Sequence, residues 1–298
     1  MRITSNANSS LLINQLQVLT SRQQKYQNQA ATGQRITNPE DDPAAMGRVL
    51  NAQAEKSSVQ QFNNNANRAL DISQSSFAGF DGLKDISDRA GEIAAMVGGT
   101  TDPASMKAYS VELNQLMEQA LQTGNSQLNG SYLYAGTKTD TAPMAATRDA
   151  SGQITGTTYQ GAASGASIAV DAGTSISPFT NGADNQGISQ FINTLATLRD
   201  ALASGNATAV QATQPALTTS ENRLLDTLGN LGAVQTRLQA ASAANTTRFS
   251  GLESQISADA DADLPTTIIQ LNRTQSAYQA ALQTGAKLMG QSLLDYVK

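Results

Sequence analysis

Three aspartates stand at alternate positions late in the chain: Asp259, Asp261 and Asp263. That spacing opens a calcium loop, in which alternating oxygen ligands are followed by a glycine at the sixth position and a bidentate glutamate at the twelfth. Here those positions hold Leu264 and Gln270. The turn and the closing ligand are both missing, so the aspartates read as acidic residues near a helix N-terminus, where the helix dipole favours negative charge. A second acidic group, Glu40-Asp41-Asp42, follows Arg35. Paired acids beside a cation suggest hydrolysis only if apolar surroundings raise one carboxyl pKa towards neutrality. No apolar run flanks them. They read instead as capping residues: Asp42 suits an N-cap, Pro43 suits the first helical position, and Arg35 folds back on the carboxylates.

The absences narrow the chemistry further. The 298 residues include no histidine and no cysteine. An imidazole base, a histidine-ligated metal, a thiolate nucleophile and a disulfide are all impossible. No Walker loop or dinucleotide fingerprint is present, so no cofactor is expected. The formal net charge is -5, with 19 basic and 24 acidic residues, which offers no electrostatic footprint for nucleic acid. Leu11-Leu12-Ile13 is far too short to span a bilayer, and the first residues carry no apolar core of a cleaved signal peptide. Neither a membrane nor a nucleic-acid partner is expected. Hydrophobic residues make up 39% and aromatics 4%, which predicts thin seams between helices rather than a thick core.

The elements that hold these residues follow from periodicity. Leu12, Leu16, Leu19, Gln23, Tyr26 and Ala30 recur at spacings of three and four. They predict a coiled-coil helix from about Asn8 to Ala31, closed by Gly33. A long, thinly apolar helix is predicted from Pro43 to about Val97, with its weak point at Gly79 or Gly82. A third, carrying Met106, Leu113 and Met117, is expected to end near Asn129-Gly130. From 137 to 187 the chain turns to Gly, Thr, Ser and Ala, with short strand-like runs at Thr157-Thr158-Tyr159 and Ser167-Ile168-Ala169-Val170. This predicts a small β-rich insert; an unstructured loop is the competing reading of the same composition. Helical periodicity returns at Ile188. It continues beyond Gly205-Asn206 through Ile256, with Pro215 marking a helix start or a kink. The last helix follows Pro265. Its stripe is Ile268, Leu271, Gln275, Tyr278, Leu282, Gly285, Met289 and Tyr296, with Leu293 beside it. Both terminal stripes run aliphatic, Leu, Gln, Tyr, then small or aliphatic, which suggests that the two ends of the chain meet.

Several stretches resemble one family. Residues 31–45 are similar to the N-terminal flagellin motif in its hook-associated form, and residues 231–238 to the matching C-terminal motif. Residues 275–282 and 292–296 resemble the terminal helix of that family. Residues 132–140, beginning Tyr132-Leu133-Tyr134-Ala135-Gly136, resemble the turn into the insert of its junction members. The segment from Ala145 to Asn185 is matched only loosely.

The resemblance implies a mainly α fold: an elongated flagellin-like helical rod, a coiled-coil bundle of N- and C-terminal segments, with a small β-rich insert. Residues 1–42 and 260–298 would be terminal coiled-coil segments, disordered in the free monomer. Residues 43–136 and 188–259 would form the rod, and 137–187 an outer insert domain. It implies a non-enzymatic structural subunit of the bacterial flagellum, forming the junction layer between hook and filament. Its partners would be hook-associated protein 1, flagellin, neighbouring copies in a ring layer, and an export chaperone held through the C-terminal helix. It would be extracellular, secreted through the flagellar type III channel without a cleaved signal. The assembly interface would comprise Leu12, Leu16, Leu19, Gln23 and Tyr26 with Ile268, Leu271, Gln275, Tyr278, Leu282, Met289, Leu293 and Tyr296. Arg35, Asp41, Asp42 and Pro43 would form a conformational joint. Two rival readings remain at this point: flagellin itself, and a cytoplasmic helical adaptor or signalling rod.

Overall fold

The computed structural model describes the backbone of residues 2–294 and the side chains of residues 10–287. Among the described residues, the order is α1 (Arg2–Thr32), α2 (Pro43–Met96), α3 (Pro103–Gly124), β1 (Gln127–Leu128), β2 (Ser131–Tyr132), β3 (Met144–Arg148), β4 (Ile154–Tyr159), β5 (Ile168–Asp171), β6 (Thr174–Ile176), α4 (Gly182–Ala203), α5 (Ala207–Ala260) and α6 (Leu264–Leu294). The fold is mainly helical, with a small β-rich insert. Packing divides the chain into two units. One is built from its two ends, up to Ser58 and from Arg248 onward; the other spans Val59–Thr247.

The second unit has a thicker core than the composition predicts. Its apolar residues are concentrated where four helical segments face one another. Leu83 and Ile93 of α2, Leu113 and Met117 of α3, and Ile188, Phe191, Ile192, Leu195 and Leu198 of α4 are fully buried. Leu217, Leu224, Leu228 and Leu231 of α5 join the same cluster. Chain-wide averages hide this concentration, because the helix surfaces are rich in Gln, Asn, Ser and Thr.

The strands form three two-stranded antiparallel ladders. The β3–β4 hairpin shares the helical core: Met144 and Ile154 are buried within it. An amide of α4 reads the β4 backbone directly, since Asn193 Oδ1 accepts from Thr157 N at 2.7 Å and Asn193 Nδ2 donates to Thr157 O at 3.0 Å. The buried guanidinium of Arg199 donates from Nη1 to Ile154 O at 2.6 Å and to Asn114 Oδ1 at 3.0 Å, tying β4 to α3. The β5–β6 hairpin is held by amides from two helices: Asn65 Nδ2 donates to Ala169 O at 2.9 Å, and Asn245 Nδ2 donates to Val170 O at 3.0 Å.

Three boundaries differ from expectation. α3 ends at Gly124, and Asn129-Gly130 is instead the turn of the β1–β2 hairpin, with φ of 52° and 81°. Positive φ at both central residues is what a type I′ hairpin turn requires, and Asn-Gly supplies it at least cost. Pro215 does not start α5 but lies inside it; the helix begins eight residues earlier, where Asn206 Oδ1 accepts from Ala209 N at 3.0 Å. α2 runs unbroken through Gly79 and Gly82. Gly79 is there for close approach: a Cβ on it would lie 3.2 Å from Tyr134 Cζ and still closer to the hydroxyl. Tyr134 is fully buried, stacks edge-on against Phe80 at 5.5 Å, and donates to Ser76 O at 3.2 Å. Gly82 meets nothing within 4 Å.

The two glycines therefore predict opposite effects in urea denaturation. Gly79→Ala should lower stability by about 1–3 kcal/mol through overpacking, while Gly82→Ala should raise it by about 0.5–1 kcal/mol through lower backbone entropy in the unfolded chain. In a Tyr134→Phe background the cost of Gly79→Ala should shrink. An equal effect of the two alanines would contradict this account of Gly79.

Candidate assembly joint and terminal helix pair

In the first unit, the connectors on either side of the terminal helices meet. α1 ends on Gly33, whose φ of 71° places it in the left-handed region, and whose N–H bonds back to Gln29 O at 2.9 Å. The chain then runs antiparallel to the α5–α6 connector. Arg35 N donates to Ala260 O at 2.7 Å, Ala262 N donates to Gly33 O at 2.8 Å, and Gln34 bridges Asp261. Gln29 Nε2 donates to Arg35 O at 2.9 Å, and the neighbouring Ile36 is buried.

Arg35 reaches both its own connector and the last turn of α5. Its Nη1 lies 3.4 Å from Asp42 Oδ2, and its Nη2 donates to Asp259 O at 2.7 Å. Asp42 caps α2: Oδ1 accepts from Ala45 N at 3.0 Å, with Pro43 at the first helical position. That bond to Ala45 N, followed by the one from Arg35, lowers the Asp42 carboxyl pKa. Asp41 has a different task. Its Oδ2 accepts from Thr37 N, Thr37 Oγ1 and Asn38 N at 3.1–3.2 Å, and its Oδ1 pairs with Lys25 of α1 at 2.8 Å. It folds the loop onto α1 rather than capping α2. The Lys25 bond, then the Asn38 amide, bring its carboxyl down to about 2.

The three aspartates of the late chain take separate partners. Asp259 forms a two-point pair with Arg48, at 2.5 and 3.1 Å. Asp261 accepts from Ser257 Oγ, and Asp263 accepts from Thr266 Oγ1 at 2.6 Å at the start of α6. Among the described residues no acidic group is arranged to hold a metal ion. Further pairs, Lys56–Glu253 and Arg248–Glu55, with Lys56 Nζ 4.6 Å from the Phe249 ring centre, line the α2–α5 contact in this unit.

α1 packs along α6. Leu12, Leu16, Leu19, Gln23 and Tyr26 are half-buried on α1, as are Leu271, Gln275 and Tyr278 on α6. Leu12 fits against Gly285, where a Cβ would stand 2.5 Å from Leu12 Cδ2. Ile268 and Leu282 point outward, 49% and 45% exposed. Tyr296 and the side chains of Met289 and Leu293 lie outside the described residues. The buried line of α6 runs through Thr267, Leu271, Thr274, Tyr278 and Gly285. It shares Leu271, Tyr278 and Gly285 with the predicted stripe, but Thr267 and Thr274 are buried beside the predicted Ile268 and Gln275. Lys25, Gln29, Ile36 and Arg48 were also missed as joint residues, because their partners lie in other elements.

A pH dependence follows. The Asp41 carboxyl is held below its ordinary value of about 3.8, so its contribution is intact above about pH 4 and is lost as the pH falls through about 2. The amide resonances of Thr37 and Asn38 should shift together over that range, and Lys25→Ala should move the transition upward. Amides insensitive to this titration would remove Asp41 from the joint.

Comparison with known proteins gives a consistent result. Residues 3–139 match the model of the bacterial flagellin N-terminal helical region. Flagellar hook-associated protein 3 of Escherichia coli (strain K12) is 25% identical over 303 aligned positions, covering 92% of each chain. Its Salmonella typhimurium counterpart is 26% identical, covering 90% of this chain and 91% of the other. A flagellar hook-associated protein structure from Vibrio parahaemolyticus superposes with a TM-score of 0.65 at 18% identity, over 74% of this chain and 99% of the other. Helical termini joined through paired connectors and a β-rich insert between helices accompany this likeness: the chain is similar to flagellar hook-associated protein 3 over at least nine-tenths of its length.

Proposed function

We propose that this chain is a structural subunit of the bacterial flagellum, forming the junction layer between hook-associated protein 1 at the hook and the flagellin filament. The near end-to-end similarity to the hook-associated relatives carries this reading. The terminal unit supports it physically. Leu11, Ile13 and Val18 on α1 and Ile268, Ile269 and Leu282 on α6 are 45–65% exposed. A shallow groove of about 380 Å³ opens between the helices beside Ile13, Leu16 and Tyr278. Neighbouring copies in a ring, with flagellin and hook-associated protein 1 on either side, supply the apolar burial that α1 and α6 lack alone.

The same shortfall bears on the free subunit. The seam between α1 and α6 is filled by Thr267, Thr274 and Gly285 as much as by large side chains. Fixing each backbone residue costs about 1–2 kcal/mol, and a seam of small residues offsets little of it. The terminal helices therefore complete their folding on assembly, which suits a chain that leaves through the flagellar type III channel. Before export, a chaperone covers the apolar side of α6, where Ile268, Ile269 and Leu282 lie. The β-rich segment 137–187 faces outward from the assembled layer.

Deleting the gene should leave hooks without filaments and release flagellin into the medium, with both defects repaired by the intact gene. Normal filaments in the deletion strain, or long filaments formed by the purified chain alone, would overturn the assignment. Arg35→Glu, which reverses the charge facing Asp42 and the Asp259 carbonyl, should be exported normally yet assemble poorly, scored as fewer filaments per cell. Brief proteolysis of the free chain should cut within α1 and α6 before the second unit. Resistance there equal to that of α4 would refute coupled folding.

A further inference from the structure

The second unit carries a pocket that the junction role leaves unused. Its volume is about 320 Å³, within the range of small-ligand sites. Arg68 and Asp71 of α2 stand on one wall, and Asn129 and Tyr132 come from the β1–β2 hairpin. Ile72, Leu133 and Phe179 supply the apolar surface. Tyr132 opens the stretch of sequence that most resembles the junction members of the family, so a distinctive segment builds this wall.

The lining selects a ligand class. Arg68 and Asp71 carry opposite charges, and among the described residues neither is engaged in an ion pair. A phosphate or carboxylate site would gather cations, and a socket for an apolar side chain would exclude both charges. This pocket is net neutral. It offers a planar donor in the guanidinium, a planar acceptor in the carboxylate, an amide that does both, and a phenol. Planar groups of both kinds match pairs of neighbouring hydroxyls, while a half-buried aromatic ring accepts the C–H face of a saturated ring. Phe179 also lines a second pocket of about 400 Å³, where Ser167, Asn181, Asp184 and Asn230 continue the hydroxyl, amide and carboxylate pattern. Two pockets of this chemistry flanking one aromatic side chain fit two linked rings.

We propose that the pocket beside Tyr132 binds a neutral pyranose, a hexose or N-acetylhexosamine, within an oligosaccharide chain. The test is titration of the ¹⁵N-labelled full chain with methyl β-glucoside, methyl β-galactoside and N-acetylglucosamine, followed by amide chemical shifts. At least one sugar should produce saturable shifts confined to the residues around Asn129, Tyr132 and Phe179. Arg68→Ala and Asp71→Ala should each weaken that binding about tenfold or more, the loss of one charge-assisted hydrogen bond. Both residues are exposed, and unchanged urea midpoints would show that the variants fold. The proposal fails if none of the three sugars gives saturable shifts in the unaltered chain. It also fails if both variants bind as well as the parent, or if inorganic phosphate or a charged peptide occupies the site more tightly than the sugars.

Discussion

Two main-chain hydrogen bonds, from Arg35 N to Ala260 O and from Ala262 N to Gly33 O, hold together connectors more than two hundred residues apart in sequence. Everything in the terminal unit depends on that crossing. It fixes where α1 leaves and α6 enters, so it sets the register in which the two helices run together. Side chains then lock the crossing from both directions. Arg35 bonds to the carboxylate that caps α2 and to the last turn of α5, while Arg48 grips Asp259 at two points. Exposed ion pairs of this kind contribute little singly. Their effect here is geometric, because each shares a partner or a loop with the next, so the crossing has few alternative arrangements.

The two units solve the problem of burial differently. In the second, large aliphatic side chains from four helical segments and the β3–β4 hairpin close a continuous core. Its polar groups are matched individually, as the Asn193 amide is to the Thr157 peptide. In the first, the α1–α6 seam mixes threonine, glycine and glutamine with half-buried leucines and tyrosines, and substantial apolar surface stays outside. A helix pair with a seam like that is a poor folding unit by itself and a good adhesive surface. The two units thus differ in how much apolar surface they leave exposed.

Much of this was legible in the sequence. The terminal stripes announced that the ends meet, and Asp42-Pro43 announced the start of α2, because both signals are local: one is a spacing, the other a cap. What escaped notice depends on contacts between distant elements. Gly79 looked like a helix breaker because nothing nearby in sequence reveals that Tyr134 presses against it. Asn129-Gly130 looked like a helix end, since a two-residue strand on each side is too short to show alternation. Asp41 looked like a second cap until Lys25, sixteen residues earlier, claimed it. Part of the buried line of α6 was hidden by its chemistry, since Thr267 and Thr274 carry no apolar signal.

That last case bears on how the terminal helices work. Two of the apolar side chains that made α6 readable, Ile268 and Leu282, are left exposed by the fold, while the inconspicuous Thr267 and Thr274 face inward with Leu271, Tyr278 and Gly285. Small residues let two helices approach closely without committing much apolar surface to each other. Some large residues, Ile268, Ile269 and Leu282 among them, are left outside the pair. A helix carrying those side chains inward would make a more stable pair. The arrangement here leaves burial within the pair incomplete and keeps Ile268, Ile269 and Leu282 on its outer side.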